Sequence, residues 1–128
     1  MTDVRVVDAS AIGALLFSEP QAEFIVQSID TMDLIAPTLL WYELSNVCLK
    51  KLAAYPSQAN LIRQGLSFLV DLQIKALTVD HAAVVDLAAP WKLTAYDASY
   101  LWLALNQQCP LLTLDKALLK VAARLGAA

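Results

Sequence analysis

Short aliphatic runs alternate along this chain with segments whose apolar residues recur every three or four positions, and that alternation sets its elements. Residues 4–8 (VRVVD) predict a first strand, and ASAIGALLF a helix after it, with Ser10 near its start and Pro20 as a break beyond its end. Apolar residues at 22, 25, 26 and 29 give a second helix, and LIAP at 34–37 a short buried strand. Thr38 is the expected N-cap of a helix over 38–54, in which Leu40, Leu44, Val47 and Cys48 form the apolar stripe and Glu43, Asn46 and Lys50 the adjoining polar one. Lys51 lands within the apolar stripe, so either this helix ends early or the lysine snorkels. Pro56 opens a helix over 57–72, KALTV at 75–79 gives a third strand, and Asp80 starts a helix to about 89 that Pro90 ends. Thr94 to Asp97 leads into ASYLWLALN, apolar nearly all round, as for a helix buried against a sheet and a second surface. Asp97, Leu101, Ala104 and Leu105 share one face of it, and Tyr100, Trp102 and Leu103 are assigned to the side away from Asp97. PLLTL at 110–114 is a fourth strand, and DKALLKVAARLG a final helix closed by Gly126.

Strands alternating with helices define an α/β fold, with a central parallel sheet of four strands covered on both faces. The chain of 128 residues has no internal repeat, low-complexity tract or linker, so residues 1–128 are read as one domain. Such sheets bind ligands beyond the carboxyl ends of their strands, near the point where strand order reverses. Composition changes the picture in one respect: 59% of residues are hydrophobic and mean hydropathy is +0.56, yet no run approaches the ~18 apolar residues that span a bilayer. A soluble chain with surplus apolar surface covered by a partner is expected, with no membrane contact. MTDVRVVDAS shows neither a basic leader nor a small-residue cleavage site, which points to the cytoplasm. Cys48 and Cys109 lie far apart with no CxxC spacing and read as two buried thiols, and the single histidine, His81, as a surface or capping residue.

Four acids stand out against this background: Asp8 in VRVVDASA, Glu43 in TLLWYELSN, Asp97 in TAYDASYLWLAL and Asp115 in LLTLDKALLK. Asp8, Glu43 and Asp97 sit in otherwise apolar stretches, where an unpaired charge is costly. Carboxylates held together either protonate or recruit cations, and an all-oxygen set suits Mg²⁺ or Mn²⁺. A pair of such ions can activate water for in-line attack on a phosphodiester. Asp8 and Asp97 would be the central ligands, Glu43 and Asp115 would complete or bridge the set, and Ser10 and Thr113 could orient ligands or waters. The competing reading takes Asp8, Asp97 and Asp115 as helix-start acids that satisfy free backbone donors.

The segments VVDASAI, YELSNV, YDASYLWLA and LLTLDKALLK, in that order, resemble the PIN domains, and within them the small VapC-type toxins of toxin–antitoxin pairs. The resemblance spans essentially the whole chain. It implies a three-layer α/β/α fold, a Mg²⁺- or Mn²⁺-dependent endoribonuclease, a homodimer, and inhibition by a cognate antitoxin. Asp8, Glu43, Asp97 and Asp115 match the family's acidic quartet, Ser10 its polar position after the first aspartate, Asn46 its asparagine after the glutamate, and Thr113 the hydroxyl before the last aspartate. Members often add a final strand; here the sequence ends in LGAA, so a fifth strand is expected to be missing or minimal.

Net charge is −3, which argues against nucleic acid only as a sum over the whole surface. Lys116, Lys120 and Arg124 recur every four residues on the last helix; with Lys50 they could follow an RNA backbone, or they form a solvated face suited to a helix C-terminus. Tyr100, Trp102 and Leu103 are read as core packing, or else as a dimer or antitoxin contact. Two other function classes compete: a non-catalytic PIN-like binding module, and a Mg²⁺-dependent phosphoryl-transfer domain, which would need a second acid near the first where Ala9 and Ser10 stand.

Overall fold

Val6 and Val7 are neighbours on the first strand and both are fully buried, so that strand is covered on its two faces. The computed structural model describes residues 3–128. Four strands, β1 (Val4–Val7), β2 (Asp33–Pro37), β3 (Lys75–Leu77) and β4 (Leu111–Leu112), form one parallel sheet in the order β3-β2-β1-β4. Val6 is the hub of the register, opposite Ile35 on one side and Leu111 on the other. Strand order reverses between β1 and β4, the point beyond whose strand ends sheets of this kind bind ligands.

The helices are α1 (Ala9–Leu16), α2 (Ala22–Ile29), α3 (Leu39–Ala54), α4 (Ala59–Ser67), α5 (His81–Trp91), α6 (Ala95–Gln107) and α7 (Lys116–Arg124). They fall into two groups: α1 packs on α2 and α3, and α3 on α4, whereas α6 packs on α5 and α7 and lies against β1 and β2. Ile12, Leu40, Leu44, Leu101 and Leu103, all essentially inaccessible, join both groups to the sheet in one core. A smaller cluster of Val84, Ala88 and Ala98 sits between α5 and α6.

Several local expectations are corrected. Thr38 is already helical in its backbone, and its hydroxyl makes no capping bond. The helix expected over 57–72 is α4 with a 3₁₀ turn at each end, Pro56–Gln58 and Phe68–Leu72. Its α portion ends at Ser67, where the hydroxyl donates to the Gln64 carbonyl at 2.6 Å and the Phe68 N–H bonds to the Gly65 carbonyl in the tighter pattern. Pro90 lies inside α5 rather than after it; the end comes at Lys92, whose left-handed backbone (φ 55°) closes the last turn. One missing N–H near an exposed helix end is tolerated.

Strands β3 and β4 are shorter than KALTV and PLLTL suggest. For β4 the cause is local: the N–H groups of Leu114 and Asp115 bond to the Ser10 and Thr113 hydroxyls instead of a neighbouring strand. No fifth strand occurs among the described residues. Its place on the outer edge of β4 is marked by one backbone bond, Leu111 N–H to the Ala127 carbonyl at 2.7 Å, after Gly126 (φ 80°) turns the chain out of α7.

Helix α3 runs its full length, and Lys51 snorkels, its ammonium 5.5 Å from the Phe17 ring centre and 3.9 Å from Glu19. His81 is exposed and the cap is Asp80, which accepts from the Ala83 N–H. Cys48 is buried, but Cys109 only half so.

Helix α4 approaches α1 through Gly65, where an added Cβ would lie 2.4 Å from the Leu16 carbonyl oxygen. Alanine is the better helix former by roughly 1 kcal/mol, but backbone cannot yield as a side chain would, so the clash wins. Gly65→Ala is expected to destabilise the protein by about 1–3 kcal/mol in urea unfolding; an unchanged or raised midpoint would show that α4 is free to move away from α1.

Candidate metal centre

Asp8 follows β1 at the switch point and is only 5% exposed. It caps α1: Oδ1 accepts from the Ala11 N–H at 3.0 Å and from the Ser10 hydroxyl at 2.7 Å, while Oδ2 accepts from the Thr113 hydroxyl. Ser10 in turn accepts from the Leu114 N–H at 2.9 Å, and Thr113 from the Asp115 N–H at 3.0 Å. Each hydroxyl proton is thus committed to Asp8, and the 3.3 Å approach of Ser10 to Thr113 is a contact rather than a further bond. A carboxylate oxygen offers two lone pairs, so Oδ1 is saturated and Oδ2 keeps one free.

Asp115 caps α7, its Oδ1 accepting from the Leu118 N–H at 2.9 Å. Asp97 lies in the first turn of α6, where Thr94 caps the helix by accepting the Asp97 N–H at 3.1 Å. The helix-start reading therefore accounts for one oxygen of Asp8 and one of Asp115. Neither oxygen of Asp97 has a hydrogen-bond partner among the described residues. Glu43, half-buried in the second turn of α3, accepts one bond at Oε1, from the Tyr100 hydroxyl at 2.5 Å.

Asp8, Glu43 and Asp97 each lie close enough to another of the four acids for its charge to oppose their ionisation. Burial chiefly, and then the charge of Asp115, raise the carboxyl of Asp8 above its ordinary range against the pull of its three hydrogen bonds. Burial, then Asp115 and Asp8, raise Asp97. Glu43 is raised by burial, with Asp97 and Asp8 adding to it and the Tyr100 bond opposing. No lysine, arginine or histidine contributes to any of these shifts, and none forms an ion pair with the four acids among the described residues.

The donor set is all carboxylate oxygen, the kind that hard divalent cations prefer. Among the described residues no three acidic, cysteine or histidine side chains close into a tight ligand cage. Mg²⁺ keeps several of its waters and needs only one or two direct carboxylates, so this looser gathering fits it.

The other expected site residues are not drawn in. Asn46 and Lys50 are exposed and make no hydrogen bond to the described residues. Lys116, Lys120 and Arg124 line an exposed side of α7. Lys116 also borders a cavity of about 430 Å³ along the outer edge of β4, together with Arg5 and Thr113.

Tyr100 was the residue that sequence reasoning misplaced. It is 1% exposed, which excludes it as a surface contact. Its spacing of three from Asp97 puts the two on one side of α6, and that spacing was the available signal.

A parallel four-stranded α/β domain with acids gathered beyond its switch point is the class that fold and site define. The chain belongs to the PIN domain family, whose model matches residues 5–124. PIN domains are typically nucleases and generally use divalent metal ions. A solved structure similar in fold is PAE2754 from Pyrobaculum aerophilum, with a TM-score of 0.65 and 24% identity over 100% of both chains. Comparison with curated proteins gave no match.

A carboxyl raised by folding binds its proton more tightly in the native than in the unfolded state, so its ionisation costs stability as pH rises through the raised value. For Asp97 this cost, from burial and then from the charges of Asp115 and Asp8, opposes the favourable helix dipole of its first-turn position. In EDTA near pH 7.5, Asp97→Asn is expected to raise Tm by about 1–3 °C, since solvent screening at this half-exposed position weakens the repulsion that is relieved. The gain should fade as pH is lowered through the carboxylate range; a lower Tm at pH 7.5 would show that the dipole prevails.

Proposed function

We propose that this chain acts as one PIN domain, a Mg²⁺- or Mn²⁺-dependent endoribonuclease that serves as the toxin of a toxin–antitoxin pair. In this reading it works in the cytoplasm as a homodimer and is inhibited by a cognate antitoxin. One observation carries the enzymatic part: four carboxylates from four segments meet beyond the switch point, three with raised proton affinity, and no cation of the protein offsets them. The RNA substrate, the dimer and the antitoxin rest on the resemblance of the motifs to VapC-type toxins.

Asp97, with both oxygens free of hydrogen bonds, and Asp8, through its remaining lone pair, would hold the cation, with Glu43 and Asp115 completing the set directly or through water. Bound there, a divalent cation supplies an activated water and charge neutralisation for the phosphodiester. Ser10 and Thr113 fix the Asp8 carboxylate by hydrogen bonds to both of its oxygens, so that it cannot rotate away from the site. The cavity beside β4 is bordered by Thr113 and by two basic residues, Arg5 and Lys116, which would suit a phosphate backbone.

One rival is a PIN-like module that binds without cleaving. Cleavage separates the two. Purified, partner-free protein with Mg²⁺ or Mn²⁺ is expected to cut total cellular RNA into discrete fragments that vanish with EDTA. Asp97→Asn should lose roughly a hundredfold or more in rate, the scale on which one electrostatic contact at a reacting centre acts. Intact RNA with either metal, from folded protein that the metal still stabilises, would establish the binding module instead.

A further inference from the structure

Glu43 and Tyr100 come from α3 and α6, which belong to the two different helix groups, and their side chains meet beyond the strand ends. From this geometry we infer that Tyr100 is a positioning residue for the metal centre: its hydroxyl holds Glu43 on the helix that carries Asp97. The inference deepens the nuclease reading above and rests on it.

Four observations support it. Tyr100 sits one turn after Asp97, so whatever its hydroxyl holds is fixed relative to that carboxylate. The ring is 1% exposed and packed in the core, which makes it a rigid support with little freedom of its own. Glu43 has several rotatable bonds and no other hydrogen bond among the described residues; without the phenol its carboxylate would sample many rotamers. The phenol is bonded to Oε1 alone, which leaves Oε2 free for a cation or a bridging water.

Any backbone carbonyl would serve a tyrosine hydroxyl. Here the partner is a carboxylate among other carboxylates, bonded at 2.5 Å, and a hydrogen bond to an ionised acceptor is stronger than one to a carbonyl. The bond makes sense as a means of placing Glu43.

The test uses the whole chain as parent, Tyr100→Phe, Glu43→Gln and the double variant, with Leu103→Ala as a packing control. Mn²⁺ alone is the probe, its free concentration followed by electron paramagnetic resonance, and RNA cleavage is measured at limiting and saturating Mn²⁺. Tyr100→Phe is expected to bind Mn²⁺ about tenfold more weakly, the scale of lost support to a metal ligand. Its cleavage should fall at limiting Mn²⁺, recover at saturating Mn²⁺, and show an unchanged KM for RNA. In the Glu43→Gln background the same substitution should add no further loss, because its only route is through Glu43. Parental Mn²⁺ affinity in Tyr100→Phe would overturn the inference while leaving the nuclease reading intact. An equal loss in Leu103→Ala, an additive loss in the double variant, or a Tyr100→Phe chain that no longer folds would overturn it by making the role structural. A folded parent that neither binds Mn²⁺ nor cleaves RNA would overturn the nuclease reading and this inference with it.

Discussion

A carboxylate buried at the end of the central region of the sheet is the constraint around which this molecule is arranged. Asp8 is almost inaccessible to solvent, and its burial raises the cost of ionising it more than its hydrogen bonds lower that cost. Those bonds nevertheless determine the local fold. One starts α1, another recruits Ser10 from the same helix, and the third recruits Thr113 from the chain after β4. Because Ser10 and Thr113 also take the N–H groups of Leu114 and Asp115, the carboxylate, β4's early end and the start of α7 form one network. That network crosses the switch point and ties together segments more than 100 residues apart.

The same arrangement sets stability against function. Asp8, Glu43 and Asp97 each have their proton affinity raised by burial and by a neighbouring acid, and no basic side chain relieves them. A protein under selection for stability alone would replace such residues or pair them with arginine. The rest of the chain supports the cost: consecutive buried residues in β1 and β2, and helices whose inner faces close one core against both sides of the sheet. The destabilisation is therefore localised at the edge where a substrate can reach it.

The periodicity of apolar residues made the fold legible, because a parallel sheet buried on both faces leaves aliphatic runs in its strands and two-sided apolar helices between them. What it missed were features decided by a single hydrogen bond. The stop of α4 at Ser67 goes with a switch of the Phe68 N–H to the Gly65 carbonyl, and the short β4 with the Ser10 hydroxyl, supplied from across the switch point. Pro90 misled because its position in the final turn removes a bond that an exposed helix end can spare. At the site, the gathering of the four acids followed from topology, since each lies just after a strand or in the early turns of a helix at the carboxyl edge. The contact between Glu43 and Tyr100 did not, because it joins positions 57 residues apart and depends on how α3 and α6 meet beyond the sheet. Asn46 marks the opposite case, a motif position whose side chain stands in solvent, away from the acids' hydrogen bonds.

The overall charge of −3 poses an apparent difficulty for a protein whose substrate would be a polyanion. Screening resolves it. At physiological salt the Debye length is about 8 Å, so a phosphate responds to the side chains beside it and hardly to the total. The acids are concentrated at the carboxyl edge of the sheet, where a divalent cation would reverse the local sign of charge. Lys116, Lys120 and Arg124 lie on the helix that begins at Asp115, and Arg5 with Lys116 borders the cavity along β4. In the nuclease reading, a phosphate chain approaching this edge would meet Lys116 beside Thr113 and Asp115. The four site acids, out of 12 in the chain, are enough by themselves to turn the net charge negative, so the low isoelectric point is no argument against a polyanionic ligand.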